Sequence, residues 1–300
     1  MPGAKTLLFL ALGAVTLVFV TAWVISARRS SERAQPGPFA LAIGFMTNFF
    51  DTLGIGSFAP TTSIWKLKGV VRDEKIPGTL NVGHAIPTIA QAFIFIAIVQ
   101  VEMTTLIGMI AAAVAGAWLG AGIVAAWPRR KVQIGMGLAL LAAASFFAMT
   151  NLGLFPAGGD ALGLTSPLLW AGLFGNFVLG AFMTLGIGLY APCMILVALL
   201  GMNPRAAFPI MMGSCAFLMP MGGLQFVRKG GYDLRAAVGL AIGGVPGVLI
   251  AAYIVKSLPL YAVRWLVVIV VVYTASMLLR SAMASASEKA GVAPAPEPSR

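Results

Sequence analysis

Of the nine acidic residues, only Asp51 sits inside an apolar segment, and the one histidine, His84, sits inside another. An ionisable side chain at membrane depth is expensive and marks a functional position by default. Asp51 reads either as a proton or cation coupling site or as a carboxylate capping the backbone near Gly54. His84 reads either as a packed, satisfied residue or as a ligand donor and proton carrier beside an anion. Asp51 also opens the stretch DTLGIGSFAP (51–60), whose core TLGIG returns in MTLGIGLYAP (183–192), 132 positions later. One residue after each copy come an aromatic residue, Ala and Pro.

Two matched breaks inside apolar runs imply a shared chemistry. Gly54, Gly56, Gly186 and Gly188 can take backbone angles that other residues avoid. Pro60 and Pro192 suit the first turn of a half-helix that starts after each break. Such a half-helix turns unpaired N–H groups and its positive dipole end toward the break, which favours an anion. No Lys or Arg lies well inside an apolar segment. The site would therefore use backbone amides and neutral donors: Thr52, Ser57, Thr61, Thr62 and Thr184, with Asn48, Asn81 and His84 near them in sequence and Ser214 opposite His84 in the second repeat. At the position equivalent to Asp51 the second copy has Met183, so any coupling through Asp51 and His84 is asymmetric.

These residues need helices in a bilayer to hold them. The chain is 59% hydrophobic and only 10% charged, against roughly 25% charged in soluble domains. Its apolar runs reach the about 20 residues that cross a membrane. The expected segments are 6–27, 39–50 with 61–65 after a break, 79–99, 103–127, 132–149, 167–182 with 193–201 after a break, 206–227, 236–255 and 262–280. The net charge of +11 does not point to nucleic acid, because the basic residues cluster in connections and at segment ends. The run Leu7–Ile25 has its basic cluster, ARRSSER, behind it rather than in front, which predicts a retained helix rather than a cleaved signal.

NVGHAIP (81–87) parallels MMGSCAFLMP (211–220), and WLGAGIVAAWP (118–128) parallels VPGVLIAAYIVKSLP (245–259). The fold class expected is an all-α polytopic membrane protein. It has an N-terminal helix and basic linker (1–38), repeats over 39–150 and 151–283 of about 130 residues each, and a disordered tail (284–300). If both broken segments enter and leave on one side, only Lys5, Arg205, Lys256 and Arg264 fall opposite the remaining basic positions, a stronger bias than full crossings give. Each repeat then has three full crossings, so the two are inverted, an arrangement typical of transporters with a midplane site.

FFDTLGIGSFAPTT, TLGIGLYAP, PGTLNVGHAIP and the two-repeat layout resemble the sulfite exporter TauE/SafE family over roughly residues 39–280. The resemblance implies a carrier of sulfite, sulfonates or related sulfur anions in a bacterial inner membrane. The residues themselves imply a small anion. The expected function is secondary export, with a passive anion channel or a thiosulfate importer as alternatives. HExxH, Ser-His-Asp and Walker patterns are absent from the sequence, so neither an enzyme nor an ATP-driven pump is expected. Cys193 and Cys215 give no disulfide or metal signature, and no cofactor or nucleic acid is expected.

Overall fold

The computed structural model describes residues 3–124 except 31, 33, 55, 73 and 74. It also describes 158–183, 188–254 and scattered positions between 134 and 154 and between 265 and 283. The helices expected over 132–149 and 262–280 lie largely outside the described residues, and the tail 284–300 lies wholly outside them.

The described chain is helical. The order is α1 (Ala4–Arg29), α2 (Pro38–Thr52), α3 (Phe58–Lys68), α4 (Ile76–Gly83), α5 (Ala85–Ile98) and α6 (Met103–Val124), then α7 (Leu168–Met183), α8 (Tyr190–Leu199), α9 (Ala207–Lys229) and α10 (Leu234–Ile254). Four helical stretches are long and apolar enough to cross a membrane: Ala4–Arg29, Ile76–Ile98, Pro204–Lys229 and Leu234–Ile254. Large apolar side chains such as Leu17, Trp170, Phe174 and Tyr253 are exposed. Asn48, Asp51, His84, Gln91 and Ser214 are buried. That inverts the soluble pattern and fits a molecule whose outer solvent is lipid.

Local sequence explains the ends of these elements. Pro38 opens α2, where its missing N–H costs nothing. Gly69 at φ 61° and Gly230 at φ 65° close α3 and α9 in the left-handed conformation that glycine tolerates. The two breaks keep the same register. α3 begins at Phe58 and α8 at Tyr190, which places Pro60 and Pro192 third in their helices. The segment expected as one helix over 79–99 is instead two, α4 and α5, joined at His84.

Packing crosses between the halves. α2 lies along α10, and α6 lies along α7. In the first pair, a Cβ on Gly239, Gly243 or Gly247 would run into the backbone of Ala40, Leu41 or Phe45 respectively. The contacts advance in the same direction along both helices, so the pair is parallel. In the second pair Gly116 abuts the Phe177 carbonyl and Gly180 the Ala113 carbonyl. Small residues four apart let helix backbones touch, the main source of attraction where lipid removes the hydrophobic drive.

The helix ends form two groups. Lys75 at the start of α4 pairs with Glu32 in the linker after α1 at 3.5 Å. Thr79 Oγ1 accepts the Asp233 N–H at 2.9 Å, and the Arg235 guanidinium lies beside Gly37 at the start of α2. The second group holds Lys5, whose ammonium donates to the Ala97 carbonyl at 3.0 Å, and Glu102, whose N–H donates to Leu162 O at 2.7 Å. It also holds Asn203, whose N–H donates to Ala161 O at 2.8 Å.

Candidate functional site

The tips of the two broken helices meet at one small cavity of about 10 Å³, about the space of one water. Gly56, Ser57 and Phe58 line it from the first tip, and Gly188, Leu189 and Tyr190 from the second. Asp51, Thr88 and Cys215 complete the polar part of the wall.

α2 ends at Thr52 and delivers Asp51 and Thr52 to the first tip. The Asp51 carboxylate accepts from Gln91 Nε2 at 2.9 Å. Ser57 approaches the same carboxylate across the break with its hydroxyl and its backbone N–H. Asp51 thus occupies the mouth of α3 and uses donors that the sequence had reserved for an anion. The Gly54 N–H bonds instead to the Asp51 backbone carbonyl at 2.9 Å. Thr52 Oγ1 donates to Asn48 O at 2.7 Å and accepts from Gln91 Nε2 at 2.9 Å. The other end of the Gln91 amide accepts the Tyr190 hydroxyl at 2.6 Å. Gln91 therefore links the two breaks in three bonds.

His84 is fully buried. Its Nδ1 lies 3.0 Å from Asn48 Oδ1, and Asn48 Nδ2 is already donating to Gly44 O at 2.7 Å. Nδ1 must therefore carry a proton. Nε2 is 3.1 Å from Thr61 Oγ1, which is itself 2.8 Å from Ser57 O. One hydroxyl proton serves one of these acceptors: a neutral imidazole takes it, and an imidazolium leaves it to Ser57. This chain runs from His84 through Thr61 to Ser57 and so to Asp51.

Thr52, Gly56, Ser57, Thr61 and His84 gather around the first tip, and Gly188 lines the cavity from the second. Gly54 is close by at φ 92°, with Met194 Sδ 2.9 Å from where a Cβ would stand. Pro60 and Pro192 sit in the first turns of α3 and α8. Thr184 and Gly186 lie outside the described residues.

Two expectations are corrected. Asn81 does not join the cluster. Its oxygen lies near Gly222 of α9, and its amide folds back onto its own helix to donate to Pro77 O at 2.9 Å. Gly188 is not in the left-handed region, whereas Gly56 is, at φ 82°. A repeated pentapeptide does not force a repeated backbone. Ser214, the counterpart of His84 in the second repeat, is buried, and its hydroxyl accepts from Asn176 Nδ2 at 3.1 Å.

The sequence reading missed Gln91, Thr88 and Tyr190. His84, Thr88 and Gln91 fall at i, i+4 and i+7, one polar stripe on an apolar helix, and that spacing was a readable signal. Among the described residues no group of three or more His, Cys, Asp and Glu side chains could hold a metal ion. No lysine or arginine among the described residues acts on Asp51. At the cavity wall the Asp51 carboxylate already takes up donors from Gln91 and Ser57.

No protein-family model matches the chain, and no curated protein or solved structure matches it.

Proposed function

We propose that this protein is a secondary transporter. It carries a small sulfur-containing anion, such as sulfite or an organosulfonate, outward across a bacterial inner membrane with proton coupling at Asp51, and it does no covalent chemistry. In this reading the halves are inverted repeats, each with a re-entrant broken helix, and the chain is a TauE/SafE-type carrier. The observation that carries the proposal is the single cavity lined by Gly56 of one TLGIG copy and Gly188 of the other. Helix breaks at membrane depth persist only where protein buries them or a cavity opens beside them.

Two sets of contacts support the inverted arrangement. The first hairpin is tied at both ends to one group of helix termini, through Gly37 beside Arg235 and Lys75 beside Glu32. The second is tied at both ends to the other group, through the Leu164 N–H on Thr105 Oγ1 at the start of α6 and Ala161 beside Asn203. Hairpins entering from opposite faces and meeting at mid-depth give one site that can open to either side. The sulfur chemistry rests on the TLGIG resemblance, and the small-anion chemistry on neutral donors around a confined space.

The test is flux in liposomes. A sulfite or sulfonate gradient should be built against its own concentration when an inward proton gradient is imposed. Flux that only runs downhill and ignores pH would make the protein a passive channel. Ser30→Cys and Val70→Cys should label from the same side of the membrane, and opposite labelling would remove the re-entrant arrangement.

A further inference from the structure

We infer that Gln91 is a two-position switch through which the charge on Asp51 sets whether the Tyr190 hydroxyl is free to bind the anion. This inference deepens the proposed transport reading by naming the element that joins proton and anion, and it rests on that reading for the identity of the ligand.

The argument is a count of donors and acceptors. An ionised carboxylate only accepts, so it holds the Gln91 amide with Nε2 toward Asp51 Oδ2 at 2.9 Å and Thr52 Oγ1 at 2.9 Å. The amide oxygen is then fixed toward α8, and it captures the Tyr190 hydroxyl at 2.6 Å. In this state the cavity wall presents a negative carboxylate and a spent hydroxyl, and an anion is refused twice.

When Asp51 takes a proton on Oδ2, the oxygen that Gln91 holds, that oxygen becomes a donor, and the old arrangement sets donor against donor. Turning the amide over restores the balance. Oε1 then accepts the Asp51 O–H and the Thr52 hydroxyl, which turns away from the Asn48 carbonyl it otherwise serves. Nε2 donates to the Tyr190 oxygen. The Tyr190 O–H no longer has Gln91 as its acceptor and points into the cavity that Tyr190 lines. The carboxyl, the amide oxygen and the Thr52 hydroxyl stay paired in both positions, and the Tyr190 O–H released by the turn is the donor left for the anion.

The groups facing Asp51 from neighbouring elements are Gln91 on α5, Ser57 at the start of α3, Tyr190 on α8 and Cys215 on α9. His84 reaches it through Thr61 and Ser57. No cation is among them, so the proton on Asp51 is the event that changes the charge of the wall. Anion entry accompanied by one proton follows directly.

The experiment has one arm without ligand and one with it. In pH-difference infrared spectra of the purified full chain, a protonated carboxyl band should vanish in Asp51→Asn. It should move to higher wavenumber in Gln91→Met, which removes the acceptor while keeping the volume. A band that ignores Gln91→Met overturns the switch. The second arm titrates methanesulfonate, which does not itself gain protons, by calorimetry in two buffers of different ionisation enthalpy. Wild type should take up about one proton per anion, with affinity rising about tenfold per pH unit fall across the titration of Asp51. Tyr190→Phe should weaken low-pH binding about tenfold and flatten the slope. Equal loss at every pH makes the hydroxyl structural and overturns the switch. A carboxyl band that shifts in Gln91→Met, with no methanesulfonate binding at any pH, leaves the switch standing and overturns the sulfur-anion reading instead.

Discussion

The two breaks share five residues, a helix start in the same register and a proline at the third position, yet they present opposite surfaces to the cavity. The first ends in Asp51, whose carboxylate answers the amide of Ser57 at the mouth of α3. The second has Met183 at that place, packed against Cys215 with its sulfur 3.4 Å from the thiol. At the first tip Gly54 and Gly56 are left-handed, and at the second Gly188 is not. The same five residues thus stand at both breaks, and only the first has a charged residue in front of them. The first tip carries a carboxylate on the donors at its mouth, and the described residues of the second tip put none there.

The largest expected effects test whether the halves depend on each other. Gly243→Leu and Gly180→Leu each push a side chain into the backbone of the partner helix, Leu41 in one case and Ala113 in the other. The cost should exceed the about 1–3 kcal/mol usual for overpacking, and neither variant should yield monodisperse protein on size exclusion. Folding of one and not the other would show that a single cross-pair holds the molecule.

Next in size is the charge itself. Asp51→Asn should bind anion across the pH range but lose uphill, proton-driven transport in liposomes. Met183→Asp, which gives the second break the first one's carboxylate, should weaken binding by tenfold or more at neutral pH. Unchanged affinity in Met183→Asp would mean that the anion does not approach the start of α8.

A smaller and more discriminating effect separates the glycines. Gly56→Val forces a β-branched residue to φ 82°, at about 1–3 kcal/mol of strain. Gly188→Val meets open space and an ordinary φ, so its melting temperature should match wild type while anion binding falls because the cavity fills. Equal destabilisation of both variants would restore the symmetric picture.

The smallest effect lies at the outer ends. Glu102 caps α6 and Asp233 caps α10, 131 positions apart. Slight burial pushes the Glu102 carboxyl up, but the Thr104 and Thr105 hydroxyls and N–H groups outweigh it and hold the group down to about 2, against an ordinary 4.5. A depressed carboxylate stabilises above its unfolded value and loses that support as pH falls from about 4.5 through about 2. Because the group is largely exposed, solvent screening leaves about 1 kcal/mol. Glu102→Gln should lower the melting temperature slightly at pH 7 and narrow the gap to wild type near pH 2. A constant gap would assign the effect to cap geometry alone.

Much of this fold was legible because its punctuation is local. Glycine and proline mark the breaks wherever they occur, so α3 and α8 could be placed from Pro60 and Pro192. Asp51 and His84 stood out as ionisable groups among apolar neighbours. The meeting of Gln91 and Tyr190 did not, because it joins α5 to α8 across 99 positions, although Gln91 extends a polar stripe from His84 and Thr88. Asn81 was drawn in by nearness to His84, but its amide bonds back to Pro77 O and its oxygen lies beside α9. The left-handed angle at Gly56 and its absence at Gly188 depend on what surrounds each tip, which a shared TLGIG does not encode.

The glycine-lined seam between α2 and α10 also imposes a schedule on synthesis. α2 is complete by residue 52, but its partner is not complete until residue 254. At ribosomal speeds of about 5–20 residues per second, α2 waits roughly 10–40 s with a bare small-residue groove in the bilayer. α6 and α7 end at residues 124 and 183, so their seam can close several times sooner. A nascent chain stalled between those points should carry one finished seam and one open one. During that interval the protein is most exposed to a membrane chaperone, to a wrong helix or to a protease.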